Sequence, residues 1–229
     1  MNVDSFVEQI RRETDLVWEA ILAHPFVRGI GDGSIAPERF VFYLRQDYLY
    51  LIDFSRVLAL GCAKGESLDE MRRFSSLLET TLTSEMDLHR RTCRDLGIVP
   101  ETLEEEEPAV ATIAYTNQLV RVAYEGGFGD IVAAILPCAA GYVEIAARLR
   151  AGATPEPAFC REWIQTYSSP EMKDLAGWLG TTLDARAEKA GPDRRERWFR
   201  LYEASARLEL LFFDAAWRGP AVPDRSMEG

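Results

Sequence analysis

The sequence predicts an all-α protein built as a single-domain helical bundle. Apolar residues recur at spacings of three and four along almost the whole chain, which is the period of one face of an α-helix. No run of alternating apolar and polar residues marks a strand. The 229 residues contain no internal repeat, low-complexity segment or linker long enough to separate two domains. A domain over residues 1–217 is therefore expected, followed by a tail, 218–229, with two prolines and mixed charge. Short connections between long amphipathic segments fit a bundle.

The elements follow in order. Ser5 and Glu8 form a capping box, in which each side chain satisfies a backbone donor near the other, so a first helix starts there. Its stripe is Phe6, Ile10, Val17, Trp18 and Ile21, and it is expected to end before His24-Pro25. The stretch Gly29 to Ser34 reads as a turn. Pro37, at a position where a missing N–H costs nothing, opens a second helix that runs to about Ala63. A third is expected from Leu68 to Leu96. The acidic run Glu104 to Glu107 before Pro108 reads as a solvated loop. Helices are expected over Val110–Glu125, Phe128–Leu149, Glu156–Tyr167, Glu171–Lys189 and Pro192–Trp217.

Composition narrows the function. Twenty-six basic against 37 acidic residues give a net charge of −11, which argues against general binding to nucleic acid or an anionic membrane. No stretch holds the ~18 consecutive apolar residues of a membrane span. The four cysteines, Cys62, Cys93, Cys138 and Cys160, are widely separated and form no Cys-x-x-Cys pair, so free thiols in a cytoplasmic setting are expected. Two histidines, His24 and His89, are too few for a site needing several imidazoles.

Chemistry is sought where polar groups fall on apolar stripes, because burying one costs free energy unless it is paired. Asp47 lies in the middle of the stripe Phe40, Tyr43, Leu44, Leu51, Phe54 and Leu58, with Tyr50 beside it at i+3. Such an Asp is either a structural partner of a helix end or an Arg, or a functional acid. Glu209 is the only acid on the face Trp198, Tyr202, Ser205, Phe212 and Ala216. A carboxyl among aromatic rings is pushed towards neutrality, where it serves as acid and base. Cys138 and Tyr142 are one turn apart, directly after the mid-helix Pro137. Glu85 and His89, at i and i+4, read as a structural Glu–His hydrogen bond. His24 before Pro25 reads as a turn residue.

Five stretches taken together carry more than helical periodicity. They are Phe42 to Leu51 (FYLRQDYLYL), Ala114-Tyr115-Thr116, Leu136 to Ile145 (LPCAAGYVEI), Trp163 to Ser169 (WIQTYSS) and Leu208 to Asp214 (LELLFFD). In this order and spacing the chain resembles the TenA family, the thiaminase II enzymes of thiamin metabolism. The resemblance implies a haem-oxygenase-like fold without haem, a homotetramer or homodimer, and no cofactor or metal. It implies a small-molecule pyrimidine substrate. The expected reaction is hydrolysis of 4-amino-5-aminomethyl-2-methylpyrimidine, and more slowly of thiamin, to the hydroxymethylpyrimidine. By position, Cys138 matches the family's nucleophile, Glu209 its catalytic glutamate and Asp47 its pyrimidine-binding acid. Tyr50, Tyr115, Tyr142, Tyr167 and Phe212 match the residues that surround the substrate. Ala140 and Phe213 stand where the family often has Trp, which predicts a wider pocket. Two other readings are a di-iron oxygenase using Asp47, Glu85, His89 and Glu209, and a non-catalytic pyrimidine-binding or regulatory protein.

Overall fold

The computed structural model describes residues 4–219; the expected tail lies outside them from residue 220 onward. Among the described residues there are eleven α-helices and no strand. They are α1 (Phe6–Glu13), α2 (Asp15–Leu22), α3 (Pro25–Asp32), α4 (Pro37–Lys64), α5 (Leu68–Thr80), α6 (Met86–Asp95), α7 (Val110–Glu125), α8 (Phe128–Arg150), α9 (Ala158–Tyr167), α10 (Pro170–Ala187) and α11 (Pro192–Arg218). Helix α8 runs through the middle and packs on α7, α9, α10 and α11. It is long and apolar enough to cross a membrane by length and composition, but 67% of that stretch is buried, as befits the core helix of a bundle. Pro137 lies inside α8 without ending it.

Three expectations are corrected. The first helix is two, because the Thr14 hydroxyl donates back to the Ile10 carbonyl and ends α1 before α2 begins at Asp15. The glycine-rich stretch is mostly helical, and only Gly33, at φ 76°, makes the turn. Gly31 is there for close packing: a Cβ on it would come within 2.6 Å of Leu149. The third helix is split by a π-helical turn, Thr81–Glu85, between α5 and α6. A π turn holds one more residue than an α turn, so it rotates the stripe. Leu82 is 49% exposed, while Glu85 reaches the interior cavity described below.

The acidic run is not simply solvated. It begins inside a 3₁₀ segment, Pro100–Glu105, and grips α4. Tyr48 Oη donates to Glu104 at 3.1 Å, Arg45 pairs with Glu106 at 2.8 Å, and Gln46 Nε2 donates to the Glu107 carbonyl at 3.1 Å. Gln46 Oε1 accepts from the Ala109 N–H and the Thr112 hydroxyl at the start of α7. This lashes α7 to α4 and fixes Tyr115 relative to Asp47. His24 caps α3, its Nδ1 accepting from the Phe26 N–H at 3.2 Å.

Close approach of α2 and α8 depends on Gly141, where a Cβ would stand 2.4 Å from the buried Trp18 ring. Overpacking a core costs about 1–3 kcal/mol, and each kcal/mol lowers Tm by about 2–4 °C in a chain of this size. Gly141→Val is expected to lower Tm by at least about 4 °C in a thermal melt; an unchanged Tm would show that Trp18 can move aside.

Candidate active site

A cavity is enclosed by α4, α5, the π turn and α7 to α11. Its walls carry Asp47 and Tyr50 from α4, Tyr115 from α7, Cys138 and Tyr142 from α8, Tyr167 from α9, and Glu209 and Phe212 from α11. All eight residues singled out from the sequence therefore meet in one place, although they come from five separate helices. Leu51, Phe54, Leu77, Met172 and Leu175 supply the apolar wall. Ala140 and Phe213 do not line the cavity. Phe213 lies behind Tyr142, with ring centroids 5.8 Å apart, so a wider pocket does not follow from it.

Cys138 sits one residue past Pro137, on the part of α8 nearest to α4 and α11. Its thiol faces the cavity and is enclosed by protein on its other sides. Burial pushes it well above its ordinary range, and the neighbouring Glu209 carboxylate pushes it the same way, while the Tyr50 hydroxyl pulls it down. Tyr50 Oη is buried and otherwise without a hydrogen-bond partner, so its proton is available to sulfur. The Tyr115 phenol donates instead to Glu209 Oε1 at 2.8 Å. Tyr115 therefore orients the glutamate and Tyr50 attends the cysteine.

Glu209 is 3% exposed. It makes no ion pair with Arg207, which binds Glu203 instead. Burial raises the Glu209 carboxyl to about 7, against the pull of the Tyr115 and Cys138 hydrogen bonds. A thiol and a carboxyl that titrates near neutrality are thus side by side, the arrangement of a nucleophile and its base.

Asp47 is not paired with an arginine or a helix end. Its Oδ2 lies 2.6 Å from His89 Nε2, and both residues are buried. The other ring nitrogen, Nδ1, faces the backbone carbonyl of Glu85 at 3.0 Å. The expected Glu85–His89 side-chain bond is thus replaced by a bond to the main chain. Burial raises the Glu85 carboxyl to about 7 even though His89 pulls it down. Among the described residues, no group of three or more His, Cys, Asp or Glu side chains is placed to hold a metal ion, which leaves Asp47, Glu85, His89 and Glu209 without the clustered geometry of a di-iron centre.

Two aromatic layers surround the site. Tyr50 stacks on Phe54, with centroids 5.5 Å apart, and leans on Tyr115 at 5.1 Å. On the other side Tyr142, Trp163 and Tyr167 form a triangle with separations of 4.6–5.6 Å. The cavity beside these rings is largely apolar and carries the carboxyl groups of Asp47, Glu85 and Glu209, which suits a small polar aromatic ring.

The raised Glu209 carboxyl has a consequence for stability. A carboxyl that titrates at about 4.5 when unfolded and near 7 when folded binds its proton more tightly in the folded state. Its contribution to stability is complete below about pH 4.5 and is lost as pH rises through 7. The loss is on the order of 3 kcal/mol. Glu209→Gln, which carries no charge at any pH, is expected to match the wild-type Tm at pH 4 and exceed it at pH 8. A Tm difference independent of pH would contradict the burial argument.

Comparison with known proteins agrees with this picture. Residues 11–219 match the TENA/THI-4/PQQC family. The chain is 44% identical over 215 residues to the aminopyrimidine aminohydrolase of Halalkalibacterium halodurans, covering 93% of this chain and 96% of that protein. A TenA homologue from P. horikoshii OT3 superposes with a TM-score of 0.86 at 28% identity, covering 95% of this chain and 100% of the other. A protein from Shewanella denitrificans described as having a heme oxygenase-like fold gives a TM-score of 0.71 at 16% identity, with 95% and 94% of the two chains covered, a likeness of fold alone. The chain belongs to the TENA/THI-4/PQQC family.

Proposed function

We infer that the chain is an aminopyrimidine aminohydrolase of thiamin salvage. The substrate is 4-amino-5-aminomethyl-2-methylpyrimidine, with thiamin a slower one, and the product is the hydroxymethylpyrimidine. The observation that carries this reading is the meeting of Cys138, Glu209 and Asp47 in one aromatic slot, with Glu209 held by Tyr115 and Cys138 beside Tyr50.

The proposed course uses only these side chains and water. Asp47 accepts hydrogen bonds from the aminopyrimidine edge and fixes the ring. Cys138 gives its proton to Glu209, and the sulfur forms a bond to a ring carbon, with the Tyr50 hydroxyl stabilising the thiolate as it forms. Ring electrons then expel the amine from the methylene carbon, and Glu209 returns the proton so that ammonia leaves. Water adds to the exocyclic methylene and gives a proton to Glu209. The carbon–sulfur bond breaks, aromaticity returns, and Glu209 reprotonates the thiolate. The net change is replacement of an amino group by a hydroxyl, without oxidation or reduction. Glu209 gives and takes a proton twice, which suits a carboxyl near 7. Thiazolium can leave without a proton, so thiamin needs the first transfer less.

The chain is proposed to act as a homotetramer or homodimer in the cytoplasm. Exposed Val110, Ile113 and Tyr124 on α7 and Leu211 on α11 supply an apolar surface for subunit contact, and all four cysteines are free thiols.

Steady-state release of hydroxymethylpyrimidine from the aminomethyl compound and from thiamin tests the reading. Wild type is expected to prefer the aminomethyl compound. Cys138→Ser is expected to abolish turnover nearly completely, and Glu209→Gln to lower it by about 10²–10⁴-fold. Ordinary turnover in both variants would remove the assignment, and ligand binding without any wild-type turnover would favour a regulatory protein.

A further inference from the structure

The His89 ring is placed so that both nitrogens meet acceptors: Nδ1 the Glu85 carbonyl at 3.0 Å, Nε2 the Asp47 carboxyl at 2.6 Å. A carbonyl oxygen cannot donate, so Nδ1 carries a proton and donates to it. Neutral imidazole would then turn a bare Nε2 lone pair on a carboxyl oxygen at hydrogen-bond distance. A second proton must lie between Nε2 and Oδ2. With His89 at 5% and Asp47 at 6% exposed, the two form a buried imidazolium–carboxylate pair held at its far end by the main chain. Asp47 lines the cavity and His89 does not. Among the described residues, no hydrogen bond reaches the second carboxylate oxygen, Oδ1.

We propose that His89 is a positioning residue for the pyrimidine site: as an imidazolium bridging the π turn and α4, it holds the Asp47 carboxylate by Oδ2 and aims it, with Oδ1 free to receive the amino group of a 4-aminopyrimidine. The inference rests on the reading of Asp47 as the ring-binding acid. It adds that the binding charge is set by a residue outside the cavity, on an element no stripe of α4 predicts.

The surroundings explain why a cation is needed. The titratable groups that face the pair are Tyr43 on α4, Glu85 and (across a small gap) Glu162, Cys138 and Tyr142 on α8, Tyr167 on α9 and Glu209 on α11. None of these is a base that could neutralise a carboxylate. Burial alone would hold the imidazole neutral, but the Asp47 hydrogen bond and charge, with Glu85 adding to them, outweigh it and raise the imidazole above its ordinary range. Remove the imidazolium and the Asp47 carboxylate loses the charge-assisted hydrogen bond that fixes Oδ2, so it no longer presents Oδ1 to the substrate in one orientation.

A double-mutant cycle tests this with Asp47→Asn, His89→Gln and the pair. Gln preserves one hydrogen bond to Asp47 without the charge. Thermal melts establish that each variant folds. His89→Gln is expected to raise KM for the aminomethylpyrimidine at least tenfold at neutral pH, with a smaller change in kcat. In the Asp47→Asn background the same substitution should change KM by less than about threefold, because the carboxylate it serves is gone. A His89→Gln enzyme with wild-type KM, one whose loss falls on kcat rather than KM, or one whose loss persists undiminished with Asn at 47, would overturn the proposal. If Asp47→Asn itself leaves turnover and KM unchanged, the failure lies instead with Asp47 as the ring-binding acid.

Discussion

A carboxyl group placed in an aromatic core is the constraint around which the bundle is organised. Glu209 is buried on a helix whose other inward residues are Trp198, Tyr202, Phe212, Phe213 and Ala216. Without help, such a group would cost several kcal/mol as an anion. The protein supplies one strong donor, the Tyr115 phenol, and otherwise leaves the acid uncompensated, so it sits near neutrality. Its neighbour Cys138 is equally desolvated. Neither group is comfortable charged, and the state that costs most is the one in which both have lost their protons. That shared discomfort costs stability and makes the pair reactive, a familiar trade between stability and activity.

The second half of the slot works by the opposite rule. Asp47 is compensated fully, by a cation that is itself anchored to the backbone. The cavity thus holds one carboxyl anchored by a neighbouring imidazole and another that titrates near neutrality, both set among the same aromatic rings.

Asp47, Cys138 and Glu209 were legible in sequence as polar residues on stripes of period 3.6 where the pattern demands apolar ones, and Tyr50 and Tyr142 came with the first two at i+3 and i+4. The places of Tyr115 and Tyr167 were implied by the resemblance to the TenA family and not by periodicity. The ends of α4, α7, α8 and α11 were read to within a residue or so because prolines and glycines mark them. What periodicity cannot show is pairing between helices. His89 lies 42 residues from Asp47, and Glu85, one helical turn before it, offered a local partner that the fold declines in favour of a distant one. The division of labour between Tyr50 and Tyr115 is likewise tertiary. The break at Thr14 and the helical course of Gly29 and Gly31 were missed because side-chain back-bonding and close packing overrode local propensity.

The π turn at Thr81–Glu85 links these two kinds of information. It is what an α-helix becomes when one residue too many has been accommodated without breaking it. Wound instead as a regular α-helix, the same residues would turn everything beyond them by about 100°. His89 would then swing away from Asp47, although every side chain of the site would still be present in the sequence. The pairing of His89 with Asp47 thus depends on how five residues are wound as much as on which side chains the chain carries.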